Sequence, residues 1–277
     1  ALAALIAATA SGAILFEEGF ESYTANATTL NGQGNWTHGS GQGNWTVNDA
    51  NDANSGLRPS NYANGTVTIG NGTQAAILTS GDRRIINGDL VDQTATPVYV
   101  SFLMKHIAGG SGSNVGAPFY LFSSNDEGTQ VGLRGNGSNS NSVISAYASL
   151  NGNTNTAGQF VQSGLLDINQ TFFLVIRLSV SGGNGTNYDS LDFWVNPNDA
   201  SAPSFTAGTN GYIGNVTFNS GSSSVNGVSL FGDNRTPHGG VDSIRVGEGW
   251  TDVVIPEPSA LVLAGLGLAG LGVRRRR

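Results

Sequence analysis

The chain has 277 residues, no cysteine and a formal net charge of −7. Charged residues are 11% of it, against about 25% in an ordinary soluble domain, so solvation of the surface falls to Gly, Asn, Ser and Thr. Disulfides and thiolate chemistry are excluded, and nucleic acid does not suit the chain as a partner, because phosphate binding needs concentrated positive charge and the single lysine is Lys105.

In chain order, "ALAALIAATASGA" is an apolar Ala-rich run with Ala8, Thr9 and Ala10 as a small-x-small cleavage site; residues 1–10 read as the remnant of a secretory signal peptide. The body expected to fold, residues 11–253, opens with "ILFEEGFESY" at 14–23, a first strand candidate. Two copies of "GQGNWT" follow, at 32–37 and 41–46. Their Trp36 and Trp45 stand among glycines with few apolar neighbours. That setting suits an exposed ring on which a sugar stacks while Asn and Gln bond its hydroxyls; the other expectation is two indoles at the edge of the core.

"NDANDANSG", residues 48–56, concentrates Asp49, Asp52 and amide or backbone oxygens of the kind calcium prefers. Calcium is therefore a candidate ligand there, although Ala53 departs from the helix-loop-helix calcium pattern and a plain polar loop is the alternative. "TPVYVSFLMKHI" alternates with period two, with Val98, Val100, Phe102 and Met104 on one face and Tyr99, Ser101, Leu103 and Lys105 on the other. His106, at its end, is expected at the surface.

"TFFLVIRLSV" places Phe172, Leu174, Ile176, Leu178 and Val180 on one side, and after the glycine-rich "SGGNGTNYDS" comes "LDFWVN". The pair predicts a hairpin. Trp194 points away from Leu191 and Phe193, to the other face of its sheet, and is a third candidate for carbohydrate contact. "APFYLFSS", "TQVGLRG", "SVISAYASL", "NGVSLFGD" and "VDSIRVGEG" are further strand candidates, and no stretch of the body sustains a helical apolar period for three turns. Strands without intervening helices predict an all-β fold, an antiparallel β-sandwich whose sheets each have one buried and one solvated face. A hydrophobic helix is expected only at the C-terminus.

That terminus is "IPEPSALVLAGLGLAGLGVRRRR". The run 259–273, 15 residues long, would make a helix of roughly 22 Å against a bilayer core of about 30 Å, a marginal span whose arginines would stay on the cytoplasmic side. Residues 254–277, with Pro256, Glu257 and Pro258, the apolar run and Arg274, Arg275, Arg276 and Arg277, resemble the PEP-CTERM sorting signal. The resemblance implies an exported bacterial protein delivered to an exosortase, a membrane processing enzyme that cuts near Pro-Glu-Pro, with a transient passage of 259–273 through the inner membrane. The body resembles the concanavalin A-like, laminin-G-like jelly rolls through its opening "ILFEEGFESY", its hairpin from Phe172 to Asn196 and its closing "GGVDSIRVGEGW", in which terminal strands often pair.

Concanavalin-like glucanases carry two glutamates flanking an aspartate at alternate positions. The body glutamates Glu17, Glu18, Glu21, Glu127 and Glu248 form no such set, and the histidines His38, His106 and His238 have no metal-ligand spacing. The expectation is therefore a non-enzymatic protein of the cell surface or extracellular matrix, structural or adhesive in an exopolysaccharide layer, with weak polysaccharide binding and no obligate cofactor. A carbohydrate-active enzyme on the same jelly roll is the alternative.

Overall fold

The structure, a computed structural model, describes residues 13–25, 28–38, 45–52, 58–70, 72–78, 83–87, 97–106, 119–122, 129–135, 143–149, 160–182, 185–217, 227–232 and 239–255. The expected signal remnant 1–10, the motif Pro256 to Pro258, the apolar run 259–273 and the terminal arginines lie outside them. In chain order the strands are β1 (Ile14–Glu18), β2 (Thr28–Thr29), β3 (Trp36–His38), β4 (Trp45–Asn48), β5 (Tyr62–Asn64) and β6 (Val67–Ile69). Next come β7 (Ala75–Leu78), β8 (Arg83–Asn87), β9 (Val98–His106), β10 (Phe119–Phe122), β11 (Thr129–Gly135), β12 (Val143–Ser149) and β13 (Phe160–Gln162). The last are β14 (Leu166–Asp167), β15 (Thr171–Ser179), β16 (Ser190–Val195), β17 (Tyr212–Thr217), β18 (Gly227–Gly232) and β19 (Gly239–Gly247), followed by the short helix α1 (Trp250–Val254).

Two antiparallel sheets face each other. The first has the order β17-β16-β15-β9-β19-β7-β4-β2, with β1 also on β19; the second has the order β13-β12-β11-β10-β18-β8-β3, with β14 on β12. β5 and β6 form a separate hairpin. The expected all-β antiparallel sandwich is thus what the chain forms. The hairpin pairs Leu174 with Val195 and Leu178 with Leu191, and the opening and closing strands meet as expected, with Glu17 opposite Arg245.

The alternation read in β9 holds. Val98, Val100, Phe102 and Met104 face Val131, Leu133, Ala146, Val228 and Leu230 of the second sheet, while Leu174, Ile176, Leu191 and Phe193 fill the same interior. The expectation of one solvated face per sheet is corrected for the first sheet. Its outer face carries a second apolar cluster, in which Tyr99, Leu103, Phe173, Val175 and Trp194 lie under Tyr62, Val67, Ile69, Ala200, Trp250, Val253 and Val254. The cover comes from segments remote in sequence, so no local pattern announces it. β9 and β16 are consequently buried along nearly their whole length, and His106, expected at the surface, is 2% exposed.

Several polar groups closed in by this cover are bonded, whereas the Arg177 Nε and Asp252 Oδ1 are buried without a hydrogen-bond partner. The Trp194 Nε1 donates to the Ser204 carbonyl at 2.8 Å, the Tyr212 hydroxyl to Asp192 at 2.9 Å, and Arg177 forms an ion pair with Asp192 at 3.7 Å. Burial pushes the Tyr212 hydroxyl up to about 12, with the Asp192 carboxylate adding to the shift. Replacing Trp194 by alanine would open a cavity in this layer and is expected to cost about 3–5 kcal/mol in urea unfolding. Phe205→Ala, removing a ring that caps Trp194 but is 48% exposed, should cost clearly less. Equal losses would contradict the layered arrangement.

Candidate functional site

β19 contains one residue too many for its partner. Asp242 pairs with Leu103 and Arg245 with Ser101, three steps on β19 against two on β9. Ser243 takes the extra step with φ of 53°. The bulge reverses the alternation, so Val241 and Ile244 both point into the interior. It also divides the other edge of β19: Gly239 to Val241 pair with β7, whereas Ile244 to Gly247 pair with β1.

At this division a cleft of about 340 Å³ is lined by Asp49, Ala50, Asn51, Arg58, Gly72, Thr73 and Gln74. Two carboxylates hold its floor. Asp242 accepts the Gly72 N–H at 3.1 Å and the Ser243 N–H at 2.6 Å; Glu21 accepts the Thr73 hydroxyl at 2.5 Å and the Gln74 N–H at 2.9 Å. Arg58 Nη2 donates to the Gly72 carbonyl at 2.9 Å, and the Ser243 hydroxyl donates to Gly70 O at 2.8 Å. A Cβ at Gly72 would fall 1.7 Å from Glu21 Oε1, so only glycine allows the carboxylate to come this close. The Arg58 Nε is buried without a hydrogen-bond partner.

Asp242 is fully buried. Burial pushes its carboxyl up to about 7, helped by the nearby Glu21 carboxylate and opposed by the two backbone donors and Arg58.

The sequence candidates are distributed differently from expectation. Trp36, Trp45 and Trp194 are 0%, 1% and 0% exposed, so the expectation that they offer rings to a sugar is corrected: all three are core side chains. The two tryptophans of the repeated "GQGNWT" stand in different sheets. The first copy enters β3, where Trp36 pairs with Asn87 of the second sheet, and the second enters β4, where Trp45 pairs with Leu78 of the first. Both indoles drop into the interior between the sheets. Trp36 Nε1 donates to the buried Glu18 carboxylate at 3.2 Å, which also accepts the Tyr23 hydroxyl at 2.6 Å and the Phe20 N–H at 2.7 Å.

Asp49 and Asp52 lie in one turn. Asp49 accepts the Asn51 N–H at 2.7 Å and Asp52 accepts the Asp49 N–H at 2.9 Å. Each carboxylate thus has one oxygen engaged by the turn, and the pair alone falls well short of the six to eight oxygens calcium takes. Among the described residues no group of three or more His, Cys, Asp or Glu is placed to hold a metal. Residues 53–56 of the loop lie outside the described set. Arg58 and 72–74 were missed from sequence because neither segment has a motif; only the fold brings them beside Asp49.

Residues 254–277 match the PEP-CTERM protein-sorting motif, which marks the chain for export and exosortase sorting to the cell envelope. Among the described residues no helix is long and apolar enough to cross a membrane. No curated protein matches the chain. Solved structures similar to it include the globular domain of T. cruzi calreticulin, at 13% identity over 95% of this chain and 100% of that one with a TM-score of 0.49. The carbohydrate recognition domain of Emp47p is similar at 12% identity over 87% and 98%, TM-score 0.43. A CBM2 module of the evolved Dit of Lactobacillus casei BL23 phage J-1 is similar at 10% identity over 85% and 95%, TM-score 0.43. At these scores the likeness carries no ligand or activity to this chain.

The Asp242 carboxyl dictates a pH dependence. Its folded value near 7 lies above the ordinary 3.8, so between those values the folded state keeps a proton that the unfolded chain has released. The stabilisation this gives is complete below about pH 4 and is lost as pH rises through about 7. Asp242→Asn, neutral throughout, should show a smaller fall in melting temperature from pH 5 to pH 8 than the native protein. An unchanged fall would place the dependence elsewhere.

Proposed function

We propose that this is an exosortase-sorted envelope protein whose sandwich, residues 11–253, binds a glycan weakly in the cleft beside the β19 bulge and catalyses nothing there. The sorting motif at 254–277 carries the first half of this reading. The cleft lining supports the second: a carboxylate, two side-chain amides, a guanidinium, a hydroxyl and a glycine backbone, with Ala50 the sole apolar side chain. Such groups bond sugar hydroxyls in pairs, and a scarcity of apolar surface sets a low affinity. The acidic balance of the chain favours neutral, hydroxyl-rich ligands over polyanions. An adhesive or structural place in an exopolysaccharide layer follows from the address and the ligand class together.

A carbohydrate-active enzyme is the second reading, and one observation favours it. Glu21 and Asp242 grip neighbouring residues of the cleft floor, and burial pushes the Asp242 carboxyl up to about 7, into the range of a general acid. Against it, Asp242 has no exposed surface.

A polysaccharide pull-down and glycan array on the purified protein, with and without calcium, tests the first reading. Retention should fall at least about tenfold in Arg58→Ala and in Asp49→Asn, as loss of a charged partner predicts, with intrinsic tryptophan fluorescence unchanged. Calcium-dependent retention lost in Asp52→Asn would add a metal to the site. Turnover of a retained glycan, abolished by Glu21→Gln, would favour the enzyme. Silence across the array would leave a passive coat protein. Separately, Pro256, Glu257 and Pro258 changed together to alanine should leave an unprocessed, membrane-retained form; normal processing would defeat the sorting claim.

A further inference from the structure

The Pro-Glu-Pro of the sorting motif begins immediately after a carbonyl that the folded body holds. Helix α1 ends before Pro256, and the residue preceding a proline is driven to extended backbone: Ile255 has φ −106° and ψ 126°. Arg245, set on the outer face of β19 by the bulge, donates Nη1 to the Ile255 carbonyl at 2.9 Å. Its Nε donates to Glu17 Oε1 at 2.8 Å, and Nη2 pairs with the same oxygen at 2.7 Å. One guanidinium therefore ties β1, β19 and the point where the chain leaves the sandwich. Behind it, the Ser101 hydroxyl donates to the Val253 carbonyl at 2.7 Å, and Trp250, Val253 and Val254 are buried.

Between Ile255 and the apolar run stand only Pro256, Glu257 and Pro258. Fully extended, three residues span at most about 11 Å. While the run is in the bilayer, the α1 end of the sandwich must lie against the membrane surface, and an enzyme acting at the motif has no slack chain on its N-terminal side. The first slack comes from the Arg245 contact, because Ile255 is 43% exposed and its carbonyl is open to solvent competition for a single bond from the largely buried Arg245. Unwinding α1 would expose three apolar side chains and is the more costly step.

We propose that Arg245 is a positioning residue for tail processing: its clasp fixes the Ile255 carbonyl, the point from which Pro-Glu-Pro departs, and the membrane enzyme acts on chains in which that clasp has opened. The proposal rests on the sorting reading. The face it assigns to the enzyme is the corner formed by Glu17, Arg245 and Ile255, the last 43% exposed.

The test follows tail removal over time for the full chain in a host that carries the processing enzyme. Arg245→Ala should speed removal about three- to tenfold, the range of one partly exposed charge-assisted bond, and Arg245→Lys, which keeps the charge but not the fork, should fall between. A Gly/Ser insertion of about six residues between Ile255 and Pro256 supplies slack without touching the fold and should speed removal likewise, so the test stands even if Arg245→Ala folds poorly. The triple alanine variant of the motif is the control. If it blocks removal while the insertion is processed at the native rate, the clasp does not govern access and the proposal is overturned with the sorting reading intact. If the triple alanine variant is processed normally, the sorting reading fails and the proposal with it.

Discussion

One extra residue in β19 sets the positions on which the cleft and the chain exit both depend. Without the bulge at Ser243, strict alternation from Val241 would turn Arg245 into the apolar interior, where an unpaired guanidinium costs far more than the fold can supply. With it, Ile244 and Val246 continue the inner layer, while Asp242 and Arg245 are spaced to meet different partners. Asp242 reaches the Gly72 amide on the β7 side; Arg245 reaches Glu17 of β1 and the Ile255 carbonyl. The cleft and the exit of the tail are thus two consequences of one backbone irregularity.

Much of the sandwich was legible because antiparallel strands advertise themselves through period-two alternation, and the inward faces of β9, β15 and β16 are those the alternation assigns. The double burial of the first sheet was not legible. Tyr99, Leu103, Val175 and Trp194 alternate with inward residues in the way solvated positions do; their cover arrives from Tyr62, Ala200 and Trp250, far along the chain. The same gap explains Trp36 and Trp45. Glycine-rich surroundings suggest exposure, yet the two indoles enter one interior from opposite sheets. Asp49 was singled out for its oxygen-rich neighbours, but Arg58, Gly72 and Thr73 become its neighbours only through the pairing of β4 with β7.

The tail behaves oppositely. Its order of Pro-Glu-Pro, apolar run and arginines is a linear signal read by another protein, so sequence alone discloses it, and the motif match at 254–277 agrees. What sequence could not disclose is that the residue before Pro256 is bonded to Arg245 of β19.

Native-state hydrogen exchange on the protein tests the central place of β19 most directly. The account predicts that the amides of Val100 and Val246, in the paired middle of β9 and β19, exchange only through global unfolding, while Ile255, bonded to Thr251 O in the last turn of α1, exchanges through a smaller local opening. Exchange of the β19 amides at the rate of the outlying β2 or β17 would contradict it.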